Sequence, residues 1–199
     1  MKKTILSLAA AAAVMSFGTV AAEAKVKVVW ANTWFDAGKE ADAAKALIDQ
    51  GVDIITQHTD STAPMQVATE RGIKAFGQAS DMIKFGPTTQ LTSIVDDWGP
   101  YYIERIKEVI DGTWKQSDVW GGMKEGHVVM AGYANMSDET KKLAEETEAK
   151  IKSGAFNPFT GPVTKQDGTE WLKAGEVAQD SVLLGLNFYV KGVDDKLPQ

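Results

Sequence analysis

The chain has 199 residues, with 21 basic and 27 acidic side chains, a net charge of −6 and no cysteine. That balance argues against nucleic acid and anionic membrane surfaces, which both select basic patches. The missing cysteine excludes disulfides, thiolate metal sites, cysteine nucleophiles and a lipid-anchored cysteine at a processed N-terminus.

In chain order, Lys2 and Lys3 precede an apolar run from Ile5 to Val14, and Ala22-Glu23-Ala24 forms a small-x-small site. This is the grammar of a secretory signal peptide over residues 1–24, and its apolar run is too short to span a membrane. The expectation is export to the periplasm, cleavage after Ala24 and no membrane insertion afterwards. Residues 25–199 are then a single domain large enough to bury a core.

Val26 to Trp30 is a continuous apolar run, the pattern of a strand covered on both faces. Asp36 is a fair N-cap for a helix to Gln50, in which Ala41, Ala44, Leu47 and Ile48 recur at helical spacing and Gly51 closes the end. Val52 to Ile55 reads as a second strand, Pro64 to Arg71 as a helix capped by Ser61 or Thr62, and Ile73 to Gly77 as a third strand. Short links make this a βαβαβ unit with a parallel sheet. The fold class is therefore α/β.

Beyond it, Leu91 to Val95 is a further strand. A helix opened by Asp97 and Pro100 and ended by Gly112 puts Tyr102, Ile106, Val109 and Ile110 on one face. Asp118 to Ala131 reads as a hairpin turning at Lys124-Glu125-Gly126. Ser137 caps a charged, solvated helix ended by Gly154, Gly161 to Leu172 is a hairpin around Asp167-Gly168, and the apolar tail from Ser181 to Val190 returns to the core.

Ligands of open α/β sheets bind outside the carboxyl ends of the strands. Those ends carry Asn32, Trp34, His58, Asp60 and Asp81. An aromatic face with a few fixed polar groups suits a planar, hydrogen-bonding small molecule. Each residue also has a plainer reading: Trp34 as a cover for the sheet edge, His58 as a polar rim group, Asp60 and Asp81 as turn-formers or caps, His127 as structural. No G-x-G-x-x-G, Walker loop or G-x-S-x-G is present, and the two histidines lack spaced partners for a metal. Neither an enzyme nor a cofactor is expected.

The blocks "NTWFDAGKEADAAKALIDQGVDII", "IKAFGQASDM", "LTSIVDDWGPYYIERIKEVIDGTW", "WGGMKEGHV" and "FNPFTGP" resemble the basic membrane protein (Bmp, PnrA-like) family. Its members are substrate-binding proteins of ABC importers for purine nucleosides or nucleobases. The resemblance implies a type I periplasmic-binding-protein fold with two lobes closing on ligand, and ABC permease subunits as partners. It implies that Trp34 is the second-lobe stacker on the purine and Asp81 the carboxylate that meets the ligand's polar edge or sugar. Asp96 stands where nucleoside-binding relatives carry a lysine, which favours a free base such as adenine.

By the same resemblance the first lobe is absent, residues 86–118 are the segment that would cross back to it, and half of the binding cleft is missing. The apolar face of the Pro100 helix is then expected to stay exposed and to favour self-association. The alternatives are a non-binding or partner-dependent lobe and an exported nucleoside-acting enzyme.

Overall fold

A computed structural model describes residues 25–197; the expected export signal lies outside the described residues. Helix α1 (Ala37–Asp49) starts where Asp36 accepts a hydrogen bond from Lys39 N at 3.0 Å, the side-chain cap that its sequence position predicts. It ends at Gly51, whose φ of 88° is the left-handed conformation of a C′ glycine. Strand β1 (Ile54–Ile55) leads into α2 (Ala63–Glu70), which carries a proline in its first turn. Strand β2 (Lys74–Ala79) follows, then a 3₁₀ turn at Ile83–Phe85 and strand β3 (Gln90–Asp96).

These strands form one sheet in sequence order. β1 and β2 are parallel with Ile54 opposite Lys74, and β2 and β3 are parallel with Phe76 opposite Thr92. Gly77 is required at the second junction, because an added Cβ would lie 1.8 Å from Ser93 Oγ. A strand β4 (Val128–Met130) closes the order antiparallel to β3.

The core joins Val52, Ile55, Met65, Ala68, Ala75 and Met82 with Val26, Tyr189 and Val193 from the two ends of the described chain. Burying each large aliphatic or methionine side chain of this set contributes about 1.5–3 kcal/mol. Polar groups inside β3 are satisfied locally: Thr92 Oγ1 donates to Ala131 O at 2.8 Å, and Ser93 Oγ donates to Gln90 Oε1 at 2.9 Å.

The segment expected as the first strand, Val26 to Trp30, is not a strand. It makes a single parallel bridge, Val26 to Val193. Its backbone groups are taken elsewhere: Val26 N donates to Gly192 O at 2.8 Å, Asp194 N donates to Val26 O at 2.9 Å, and Val28 N donates to the Asp195 carboxylate at 2.7 Å. With these groups paired to the tail, the segment forms no ladder with β1 among the described residues, and Val29 and Trp30 are exposed. The parallel core is thus β1–β2–β3, one strand further along the chain than the apolar runs suggest.

Helix α3 (Gly99–Ile110) buries no residue, so the apolar face that carries Tyr102, Ile106, Val109 and Ile110 is exposed as expected. The hairpin expected from Asp118 forms only in part. Its turn is present, with Gly126 N donating to Met123 O, but residues 113–122 have no regular structure and β4 pairs with β3 instead. The physical reason is that β3 offers an open edge, whereas residues 113–122 are exposed almost throughout.

Helix α4 (Asp138–Ser153) has the expected Ser137 cap, accepting from Thr140 N at 3.1 Å, and the expected αL Gly154. Tyr133 OH donates to Glu148 Oε2 at 2.8 Å and ties α4 to the chain after β4; burial and this carboxylate push the Tyr133 phenol well above its ordinary pKa. The second hairpin is β5 (Val163–Thr164) and β6 (Glu170–Leu172), with Asp167 Oδ1 accepting from Thr169 N in its turn. The tail returns to the core later than expected. Helix α5 (Asp180–Leu184) leaves Val182 and Leu184 exposed, and only Tyr189 and Val193 are buried.

Candidate functional site

A cleft of about 740 Å³ lies between the 26–34 segment and the carboxyl end of the sheet. Its floor is apolar, from Val26, Val28, Ala44, Leu47 and Ile55, and its mouth carries Asn32, Trp34, Gln57, His58 and Gln78.

Two loops build the mouth. The first runs through Asn32, held at φ 51°, into the N-cap turn of α1, and carries Trp34. The second leaves β1 as Thr56 to Asp60 and carries His58. The two rings meet edge to face, with centroids 6.2 Å apart and planes at 68°. Trp34 is 72% exposed, so its indole is a plate presented to solvent rather than a cover packed on the sheet.

The loops are tied beneath the rings. Asp60 N donates to Trp34 O at 2.9 Å. Glu40 accepts from Asp36 N at 2.8 Å on one oxygen, and from Ser61 N at 3.1 Å and Ser61 Oγ at 2.5 Å on the other. Burial raises the Glu40 pKa, but the Ser61 hydroxyl and the surrounding donors outweigh it and hold the carboxyl below its ordinary value. Gln57 Nε2 donates to Thr59 O and Ser61 O, each at 2.8 Å. Two carbonyl acceptors fix the amide's orientation, and Oε1 is left buried without a hydrogen-bond partner among the described residues.

Of the six residues that the sequence marks, the structure brings Asn32, Trp34 and His58 to the cleft. Asp60 contributes its backbone to the loop tie, while its side chain is outside the lining. Asp81, past the end of β2, also lies outside it, where Oδ1 accepts from Ile83 N at 3.0 Å and Gln90 Nε2 at 2.8 Å in the manner of a turn cap. Asp96 ends β3 opposite Val128 and is likewise outside the lining. Gln57 and Gln78 begin strand-end stretches that the sequence marks but were not chosen as site residues, and Glu40 was passed over. Glu40 carried no capping-box signal, since that pattern puts the glutamate three residues after the cap, where Lys39 stands, and only the structure shows it reaching Asp36 N.

His127 is not at this site. It stacks on Trp98 with centroids 5.5 Å apart, in the structural setting expected for it. Among the described residues no group of three or more His, Asp or Glu could hold a metal, and no helix is long and apolar enough to cross a membrane.

The family model described as ABC transporter substrate-binding protein PnrA-like matches residues 19–157. The chain belongs to that family. It is 75% identical over 175 residues to a purine-binding protein of Brucella abortus, covering 88% of this chain and 50% of that protein. It is 30% identical over 177 residues to a putative ABC transporter glucose-binding protein of Haloferax volcanii, covering 88% of this chain and 43% of that one. The chain spans about half the length of these curated relatives.

Among solved structures, an ABC transporter solute-binding protein from Aeropyrum pernix K1 is similar with a TM-score of 0.56 at 18% identity, over 68% of this chain and 48% of that one. That likeness establishes the fold, an α/β lobe of the solute-binding type.

Proposed function

We propose that this chain is a purine-binding lobe of a periplasmic ABC importer component, taking a nucleobase of the adenine type or its nucleoside against Trp34. The observation that carries the reading is the exposed indole at the cleft mouth, set edge to face with His58 above a floor of aliphatic side chains. A planar heteroaromatic ring gains stacking on such a plate, and amide and imidazole groups at its edge offer hydrogen bonds. The 75% identity to a purine-binding protein supports the same reading. Asp96 lies outside the cleft lining, so the choice between a free base and a nucleoside is left to the titration. The reading is of binding rather than turnover because the family to which the chain belongs is one of substrate-binding proteins.

Calorimetric titration with adenine, adenosine, guanosine and glucose tests it. Adenine is expected to bind most tightly; saturable glucose binding with no purine response would overturn the purine reading. Incubation with adenosine should release no base.

A second reading, a lobe that binds only when a partner surface closes over it, is favoured by the openness of the Trp34 plate and by the bare apolar face of α3. A one-sided site forfeits half of the stacking and burial that a closed site collects.

A further inference from the structure

We propose that Glu40 is the positioning residue of the stacking rim: its carboxylate clamps the turn that carries Trp34 to the loop that carries His58. This rests on the purine-binding reading for its ligand arm, but the clamp itself is a property of the free chain.

Glu40 is 2% exposed. Taking a carboxylate out of water is costly, and the cost is offset only when donors surround it. Here the donors come from two segments. Oε1 takes the N–H of Asp36, in the turn immediately after Trp34 and Phe35. Oε2 takes both the N–H and the hydroxyl of Ser61, three residues after His58. A glutamate that served only to cap α1 would bond within its own first turn and leave its second oxygen in solvent. The second oxygen instead reaches 21 residues along the chain.

The rings need this support because burial does not supply it. Trp34 and His58 are both exposed, so neighbouring side chains do not lock their positions. Their contact depends on where the two backbones are held, through the Glu40 bonds and the Asp60–Trp34 backbone bond. Ser61 completes the clamp, since its Oγ also accepts from Ala63 N at 3.2 Å and so anchors the loop to the start of α2. A rim fixed before the ligand arrives saves the entropy of ordering it on binding.

The test uses the fact that the chain has two histidines. Their ring-proton resonances are assigned with a His58→Gln variant. In the free protein the Trp34 ring displaces the His58 resonances, while His127, stacked on Trp98, is an internal control. In Glu40→Gln, an isostere with one acceptor oxygen that must turn its amide N–H toward either the Asp36 N–H or the Ser61 N–H, the His58 lines should move toward those of an unstructured histidine and the His127 lines should stay. Adenine affinity should fall about tenfold in this variant and by a smaller factor in Ser61→Ala, which keeps the carboxylate.

Unmoved His58 lines in both variants refute the clamp. Moved lines with unchanged adenine affinity refute its role in binding. Moved lines in a chain whose unmutated form binds no adenine support the clamp and overturn the purine reading instead. If Glu40→Gln loses both sets of folded histidine lines, Ser61→Ala decides by the same criteria.

Discussion

Helices α2 and α3 open alike, each with a proline in the first turn, and each is amphipathic. Yet Ala63, Pro64, Met65, Val67 and Ala68 of α2 are buried, and α3 buries nothing, with Ile110 77% exposed. The difference lies in what precedes and follows them. α2 connects two parallel neighbours, β1 and β2, and a connection of that kind must lie across the sheet it joins. α3 leaves the end of β3, and the chain returns to the antiparallel β4 through an exposed segment, so nothing in that path presses the helix onto the sheet. An apolar stripe specifies which face of a helix wants cover; the topology decides whether cover is present.

The largest effect is expected on the packed side. Met65 is wholly buried and sits against Gly86, where an added Cβ would lie 2.5 Å from its sulfur. Met65→Ala should destabilise the fold by about 2–5 kcal/mol, read as a lower urea midpoint. A loss below about 1 kcal/mol would show that the core around α2 collapses to fill the space, and that the two helices differ less than their burial suggests.

Next is the rim that the packed side supports. Trp34→Ala should weaken adenine binding by about tenfold or more, from a stacking contribution of roughly 1–3 kcal/mol per base, without moving the urea midpoint. An unchanged dissociation constant would refute the stacking role of Trp34.

The Glu40 carboxyl gives the packed side an acid sensitivity. Its folded pKa is lowered from an ordinary 4.5, so the stability it contributes is fully present above that value and is lost as pH falls through the lower folded one. Urea midpoints of the unmutated chain should therefore decline below roughly pH 5, and Glu40→Gln should decline less steeply over the same range. Parallel pH curves would contradict the assignment.

The smallest stability effect belongs to α3. Ile106→Asp with Ile110→Asp should change stability by no more than about 0.5 kcal/mol, because neither side chain is buried. The same pair of substitutions should convert self-associating chains to monomers in sedimentation, since a contiguous exposed apolar face is what associates. A loss of several kcal/mol would mean that α3 packs in solution against something these contacts do not include.

Much of this molecule was legible residue by residue, because short-range chemistry does not depend on the rest of the chain. Asp36 and Ser137 cap their helices, Gly51, Gly72, Gly112 and Gly154 end them with positive φ, and Asp167-Gly168 turns a hairpin. The strand ends that carry Trp34 and His58 were legible for the same reason, as loops between periodic segments, whereas the exposure of α3's apolar stripe was expected only through the family resemblance. What the sequence could not decide by itself was pairing. Val26 to Trp30 has the composition of a central strand, but its hydrogen bonds go to residues 192–195, across more than 160 positions, and so the cleft lies open beside β1. Composition reports how much a segment gains from burial, not which of several edges takes its N–H and C=O groups. Glu40 shows the same limit for a charge. Nothing in its position announced a role, and only the folded chain brings Asp36 N and, at 2.5 Å, the Ser61 hydroxyl to it and makes one carboxylate the joint of two loops.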